Sequence, residues 1–333
     1  MNVLEKIIEN HARKDSGLSN NIPFPFSKME DLIPGVEREQ YTLITGGTGT
    51  GKTKMTKKLY VFTPIEYILK TEKTDLKIFY FALEESRDRF ILSIYSYFLW
   101  KKYNVSRSVN ELLSIGNTRL SIDELKIIED ITPFIEEVLS YIDIVTSVRN
   151  PTGIYLYVKD WVEKEGDITY REITIKGKKI KARVSYKPHH EDKYVVVVVD
   201  HLSLLQPEEG APTLHQAMSK LSSVYFLDLR DMYKCTVVGV QQQAAAMESV
   251  DNFKYEKIEP SLNGLGDNKL TSRDANKVYG VFMPYRYDIK IYRGEKVRQD
   301  LICFSVIKNR EGLSNLHLLL NFNGRVGSYK QLK

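Results

Sequence analysis

The sequence predicts an α/β fold: a mostly parallel central sheet flanked by helices, with one β-hairpin inserted. Three observations carry this. Continuous aliphatic runs such as YVVVVV, closed by Asp200, suit strands buried on both faces. Such runs alternate with segments of helical period. Polar residues gather where the strands end, which is where open α/β sheets take their ligands.

In chain order, Leu4 to Lys14 places Leu4, Ile7 and Ile8 on one face of a short amphipathic helix. DSGLSNNIPFPF then reads as a Pro-rich linker. YTLIT (41–45) is a strand ending in a Gly-rich loop, and Lys52 to Lys70 is a helix that Pro64 should break or kink. KIFYFAL (77–83) is a second strand, closed by Glu84-Glu85, and a long helix follows from Arg87 to Tyr103. Residues 104–140 mix turns with helical segments. Ile142 to Thr146 reads as a strand and Ile154 to Glu165 as a helix.

ITYREITI and IKARVSYK flank the turn Lys176-Gly177-Lys178-Lys179, a hairpin signature. The buried strand ending at Asp200 comes next, then a helix from Leu214 to Tyr233. TVVGV (236–240) is a strand ending in Gln241-Gln242-Gln243. The tail alternates strand and turn: KVYGVFM, DLICFSVIK, LHLLLNF. No internal repeat or low-complexity segment interrupts it.

Composition narrows the class. At 42% hydrophobic and 27% charged over 333 residues, the chain is neither disordered, collagenous nor a disulfide framework. A net charge of +5 permits nucleic-acid binding without arguing for it. Cys235 and Cys303 lie in apolar stretches and read as buried free thiols. His189-His190 is a lone loop pair, so no His/Cys cluster has metal-ligand spacing. The charged start MNVLEKIIENHARKD has no apolar signal region, and no run approaches membrane-span length. The expectation is a soluble protein of the cytoplasm, with no membrane partner; a phage protein in its bacterial host fits it.

The strongest chemical signal is Gly46-Gly47-Thr48-Gly49-Thr50-Gly51-Lys52-Thr53, which matches G-x-x-x-x-G-K-[ST] between a strand and a helix. Glycines let backbone N–H groups approach phosphate oxygens, and the helix N-terminus adds its dipole. Lys52 would reach the β- and γ-phosphates of ATP, and the Thr53 hydroxyl would ligate Mg²⁺. Asp200 fits the strand-ending acid that holds that ion through water. Glu84 fits the group that orients the attacking water, ahead of Glu85; the competing reading is a helix N-terminal acid. Amides at 241–243 could sense the γ-phosphate.

Together these motifs resemble the RecA-like ATPases. ICFSVIKNREG and RDANKVYGVF further resemble two closing elements of DnaB-type replicative helicases. The resemblance covers about residues 23–325. It implies a RecA-like P-loop NTPase core over 27–333, with the hairpin at about 167–190 as an insertion and residues 1–26 as an N-terminal helix and linker arm. Only about 25 residues precede the core, so the form implied lacks the large N-terminal domain of bacterial members. By the same resemblance Glu84 is the catalytic base, Asp200 the metal-holding aspartate and Gln242 the switch glutamine. Lys308 and Arg310 are the basic pair inserted into a neighbour's ATP site. The loop from 244 to 270 is the DNA-gripping loop, with Lys269 and Arg273 as phosphate contacts. Here it is less basic than in the family, and Gln241 stands where a Ser is usual.

The implied function is an ATP-dependent DNA helicase that translocates on single-stranded DNA during replication. It would work as a homo-oligomeric, hexameric ring with primase or loader proteins as partners. A RecA/RadA-type recombinase, or a regulatory ATPase acting on a protein partner, remains the alternative. The hairpin reads equally as a nucleic-acid or partner contact and as charged edge strands that block aggregation.

Overall fold

The computed structural model describes residues 3–17, 20–29, 33–71, 74–175, 178–248 and 258–332. Helix α1 is Val3–Asp15. Strands β1 (Asn21–Ile22) and β2 (Val36–Glu37) form a small antiparallel pair. Ile22, Phe24 and Phe26, inside the stretch whose composition suggests a linker, are buried in the core. Their prolines punctuate an extended segment whose apolar side chains still find the sheet.

Strand β3 (Gln40–Gly46) enters the Gly-rich loop and α2 (Lys52–Lys57) leaves it. The helix then continues as a π-helical stretch, Lys58–Phe62, into α3 (Thr63–Thr71). Pro64 therefore does not break the helix. The wider π turn lies just before it, where an α turn would press its ring against the carbonyl four residues back.

Next come β4 (Asp75–Ala82), α4 (Arg87–Tyr103), α5 (Val109–Leu112), α6 (Ile122–Ser140), β5 (Ile142–Val145) and α7 (Pro151–Val162). Ser108 with Glu111, and Ser121 with Glu124, form reciprocal capping boxes that start α5 and α6. The hairpin is β6 (Gly166–Ile175) and β7 (Lys178–Pro188); Lys176 and Gly177 of its turn lie outside the described residues. Then follow β8 (Lys193–Asp200), α8 (Leu214–Lys220), a second π stretch (Leu221–Phe226), α9 (Leu227–Asp231) and β9 (Thr236–Gln242). A short helix, Leu270–Asp274, leads into β10 (Lys277–Phe282). The tiny pair β11 (Ile291–Tyr292) and β12 (Glu295–Lys296) precedes β13 (Leu301–Asn309), β14 (Leu316–Asn323) and β15 (Ser328–Gln331).

The main sheet has nine strands in the order β5-β4-β8-β9-β3-β10-β13-β14-β15. From β5 to β10 every pairing is parallel; β13, β14 and β15 extend the sheet antiparallel. Alternate residues of β8 serve opposite cores. Val196 and Val198 pack with α2, α3, α4 and α6, while Val197 and Val199 pack with α7, α8 and α9. That double burial is what the continuous aliphatic run encodes. Cys235 and Cys303 are free and buried. No helix among the described residues is long and apolar enough to cross a membrane.

Candidate nucleotide site

Strand register builds the site. Ala82 of β4 pairs with Asp200 of β8, Asp200 with Val240 of β9, and Gln242 of β9 with Gly46 of β3. The carboxyl ends of four neighbouring strands thus present Glu84 (two residues beyond Ala82), Asp200, Gln242 and the Gly46–Thr53 loop to one edge.

The loop is held by its own chemistry. Gly49 and Gly51 have φ of +67° and +92°, the left-handed region that favours glycine. A Cβ on Gly46 would meet the Val281 carbonyl. Thr50 Oγ1 and Lys52 Nζ donate to the Gly47 carbonyl, at 3.0 and 2.7 Å. Lys52 therefore rests across the loop it would leave for a phosphate oxygen. Thr48, at the tip, accepts a hydrogen bond from the Gln242 amide.

Thr53 Oγ1 donates to Asp200 Oδ1 at 3.3 Å, and Tyr80 Oη donates to Asp200 Oδ2 at 2.7 Å. Burial pushes the Asp200 carboxyl up from its ordinary value, against those two donors and Lys57. A buried, under-compensated carboxylate beside a hydroxyl suits a hard cation that keeps most of its own waters. No group of three or more His, Cys, Asp or Glu residues among the described ones could cage a metal ion. The oxygen pair fits Mg²⁺ carried by a nucleotide rather than a resident metal.

The two acids after β4 separate cleanly. Glu85 pairs with Lys57 at 2.6 Å, and Lys57 is buried, with its ammonium 4.1 Å from the Phe90 ring centroid. Glu84 is exposed, and its one close ionisable partner among the described residues is the His201 ring, at 4.0 Å. Both acids line a cavity of about 440 Å³ with Thr53, Asp200, Arg89 and Arg325.

The glutamines divide their tasks. Gln241 is fully buried, donates to the Gly266 and Asn268 carbonyls and accepts from Thr271 Oγ1 at 2.5 Å. Gln243 donates to Thr45 Oγ1 at 2.9 Å and to the Ser261 carbonyl at 3.1 Å. The strand end is thus tied on one side to the phosphate-binding loop and on the other to the 258–274 segment. Residues 249–257 of the loop read as DNA-gripping lie outside the described residues; Lys269 and Arg273 are both exposed.

Lys308 and Arg310 stand elsewhere. Lys308 pairs with Val278 near the start of β10, which pairs with Leu43 in the middle of β3. Its ammonium donates to the carbonyls of Ser272, Arg273 and Ala275, closing the helix Leu270–Asp274. Arg310 donates to the Arg273 carbonyl and is exposed. Neither is brought to the phosphate-binding loop of its own chain.

Sequence reasoning missed Tyr80 and Lys57 as parts of this site, and it read the amides at 241–243 as γ-phosphate sensors without the ties of Gln241 and Gln243 to the 258–274 segment. Tyr80 had one signal: it lies two residues before Ala82, on the same face of β4.

The model of the DnaB-like helicase C-terminal domain matches residues 21–331 of the chain. Among solved structures, an ATPase domain aligns with a TM-score of 0.69 and 16% identity, covering 100% of this chain and 99% of its own. A DnaB-like replicative helicase, solved for its interactions with primase, aligns with a TM-score of 0.67 and 16% identity, covering 100% and 69%. No protein of curated function matches the sequence. At these identities the solved structures establish the RecA-like ATPase fold.

Proposed function

The chain belongs to the family of the DnaB-like helicase C-terminal domain, and from that premise we propose that it is an ATP-hydrolysing motor that translocates on single-stranded DNA as a hexameric ring. The observation that carries this reading is the separation of Lys308 and Arg310 from the strand ends that bear the other proposed site residues. Gly46–Thr53, Glu84, Asp200 and Gln242 stand at the carboxyl ends of the strands; Lys308 stands level with the middle of β3 and Arg310 near its amino end. On this reading Lys308 and Arg310 serve the site of a second copy, and a head-to-tail interface that closes makes a ring. The apolar residues Leu4, Ile7 and Ile8 of α1, all exposed, offer a second contact to a neighbouring copy.

In this reading Lys52 leaves Gly47 to bind the β- and γ-phosphates, and Glu84 orients the attacking water. Thr53 and Asp200 would hold Mg²⁺, which supplies charge neutralisation on the phosphates when bound. Arg310 and Lys308 of the adjacent copy stabilise the charge that develops on the transferring group. Gln242, released from or held to Thr48, transmits the state to the 258–274 segment. Lys269 and Arg273, four residues apart, contact DNA phosphates there. A primase or a loader is the partner class such a motor would meet.

The test is ATP turnover with and without single-stranded DNA, followed by strand displacement on tailed duplexes. DNA-stimulated turnover with displacement is expected. Turnover that ignores DNA across all salt concentrations would favour a regulatory ATPase instead.

A further inference from the structure

The hairpin β6–β7 is the longest of the three strand pairs, among the described residues, that stand apart from the nine-stranded sheet. Residues 166–188 hold seven of the 48 basic and two of the 43 acidic residues, so this segment carries the whole net charge of +5 and the rest of the chain is neutral. Its base is anchored. Arg183 pairs with Asp228 at 3.2 Å, Tyr186 Oη donates to the Val162 carbonyl at 3.0 Å, and Ile168 packs on the core. Beyond Arg183 the arm projects five more residues to Lys178, about 17 Å at strand rise.

Arg171, Lys178, Lys179 and Lys181 on that projecting part are exposed, and among the described residues none has a side-chain hydrogen bond or ion pair. The register sets them on both faces. Arg171 pairs with Ala182 and Lys178 with Ile175 on one face; Lys179 pairs with Thr174 and Lys181 with Glu172 on the other. A single acidic residue, Glu172, accompanies them on the described part of the projection. A guard against edge pairing needs charge at an edge; it does not need the entire surplus of the protein. A docking face for a protein would concentrate on one side.

We propose that this arm is a second nucleic-acid contact, a basic two-stranded ribbon that enters a groove of double-stranded DNA. The major groove admits a two-stranded β-ribbon, and phosphate walls on either side meet cations carried on both faces. The exposed Tyr170, paired with Arg183 near the anchored base, adds a hydroxyl at the mouth of the groove. Affinity comes from phosphates, so the contact is salt-dependent and indifferent to sequence.

The experiment uses the full chain without nucleotide, so it stands or falls apart from the motor reading. Anisotropy of a labelled blunt duplex and of a labelled single strand is titrated between about 50 and 200 mM salt. The compared variant carries Arg171→Gln, Lys178→Gln, Lys179→Gln and Lys181→Gln, with an unchanged melting temperature as the folding check. A control loses four exposed lysines elsewhere: Lys14→Gln, Lys70→Gln, Lys126→Gln and Lys290→Gln. The arm variant should bind duplex about tenfold or more weakly, with a log–log salt slope shallower by about 3, and the control should keep most of both. Equal losses in the control would overturn the proposal, as would unchanged duplex affinity in the arm variant. Aggregation of the arm variant with duplex affinity intact would assign the arm to edge protection. Loss confined to the single strand would replace duplex by single-stranded DNA and also overturn it.

Discussion

Gln242 donates its side-chain amide to the hydroxyl of Thr48, so the last residue of β9 touches the tip of the phosphate-binding loop. Its two neighbours bind backbone carbonyls of the 258–274 segment. On the proposed function, a nucleotide that displaces Thr48 would pull on the same strand end that holds the segment of Lys269 and Arg273. Such coupling would be reciprocal in binding: DNA on the segment would alter nucleotide affinity by the same factor.

Gln242→Ala should leave basal ATP turnover within about twofold and remove its stimulation by single-stranded DNA. The ratio of turnover with and without DNA is the measurement. A variant stimulated like the parent would show that the Thr48 contact carries no signal. Gln241→Ala should differ, because its fully buried amide satisfies two carbonyls and Thr271; it should lower the melting temperature as well.

The paired acids give a second contrast. Glu84→Gln should stop hydrolysis while nucleotide still binds, with stability unchanged, because Glu84 is exposed and loosely placed. Glu85→Gln should destabilise by about 2 kcal/mol, since it leaves the buried Lys57 ammonium short of its charge partner. Thermal melting and nucleotide-binding titrations on both variants separate the roles. Reversed outcomes would exchange the two assignments.

Asp200 carries a sign that can be checked. Its carboxyl is raised by burial, so the folded state holds the proton more tightly than the unfolded chain does. The associated stability is fully present below the ordinary carboxylate value and is lost as pH rises through the raised one. Once ionised, the carboxyl is a buried charge that Tyr80 and Thr53 only partly compensate. Asp200→Asn should raise the melting temperature by about 2–4 °C at pH values where the parent's carboxyl is ionised, and flatten its decline with rising pH. The same variant should lose the further rise that Mg²⁺ with a non-hydrolysable ATP analogue gives the parent. A lower melting temperature, or an intact Mg²⁺-dependent shift, would contradict this account.

The local parts of the site were legible and the long-range parts were not. Gly46–Thr53 declares itself because one loop's backbone makes the whole cradle, and Asp200 because it closes a run buried on both faces. Tyr80 and Lys57 stayed hidden because their partners lie 120 residues away at Asp200 and 28 away at Glu85. Pro64 misled because a π turn, invisible to a 3.6-residue period, makes room for it. Phe24 and Phe26 were hidden by the prolines around them. β15 is four residues long, three of them polar, and only its pairing with β14 makes it a strand.

The basic pair gives the sharpest test of assembly. The Arg310 amide donates to the Asn276 carbonyl, and the Asn276 amide to the Tyr41 carbonyl, so Arg310 lies at the level of Tyr41. That is five residues before Gly46, about 16 Å along the strand and beyond the reach of its side chain. Lys52→Ala and Arg310→Ala should each abolish hydrolysis, the first within its own site and the second in a neighbour's. Mixed, they should recover activity that neither has. An interface with the Arg310→Ala chain supplying the loop and the Lys52→Ala chain supplying the arginine is complete. In an equal mixture about a quarter of head-to-tail interfaces are of that kind. Turnover per chain should therefore climb toward about a quarter of the parent's, with a maximum near equal proportions. A mixture as inactive as its components would mean that Arg310 does not act across an interface.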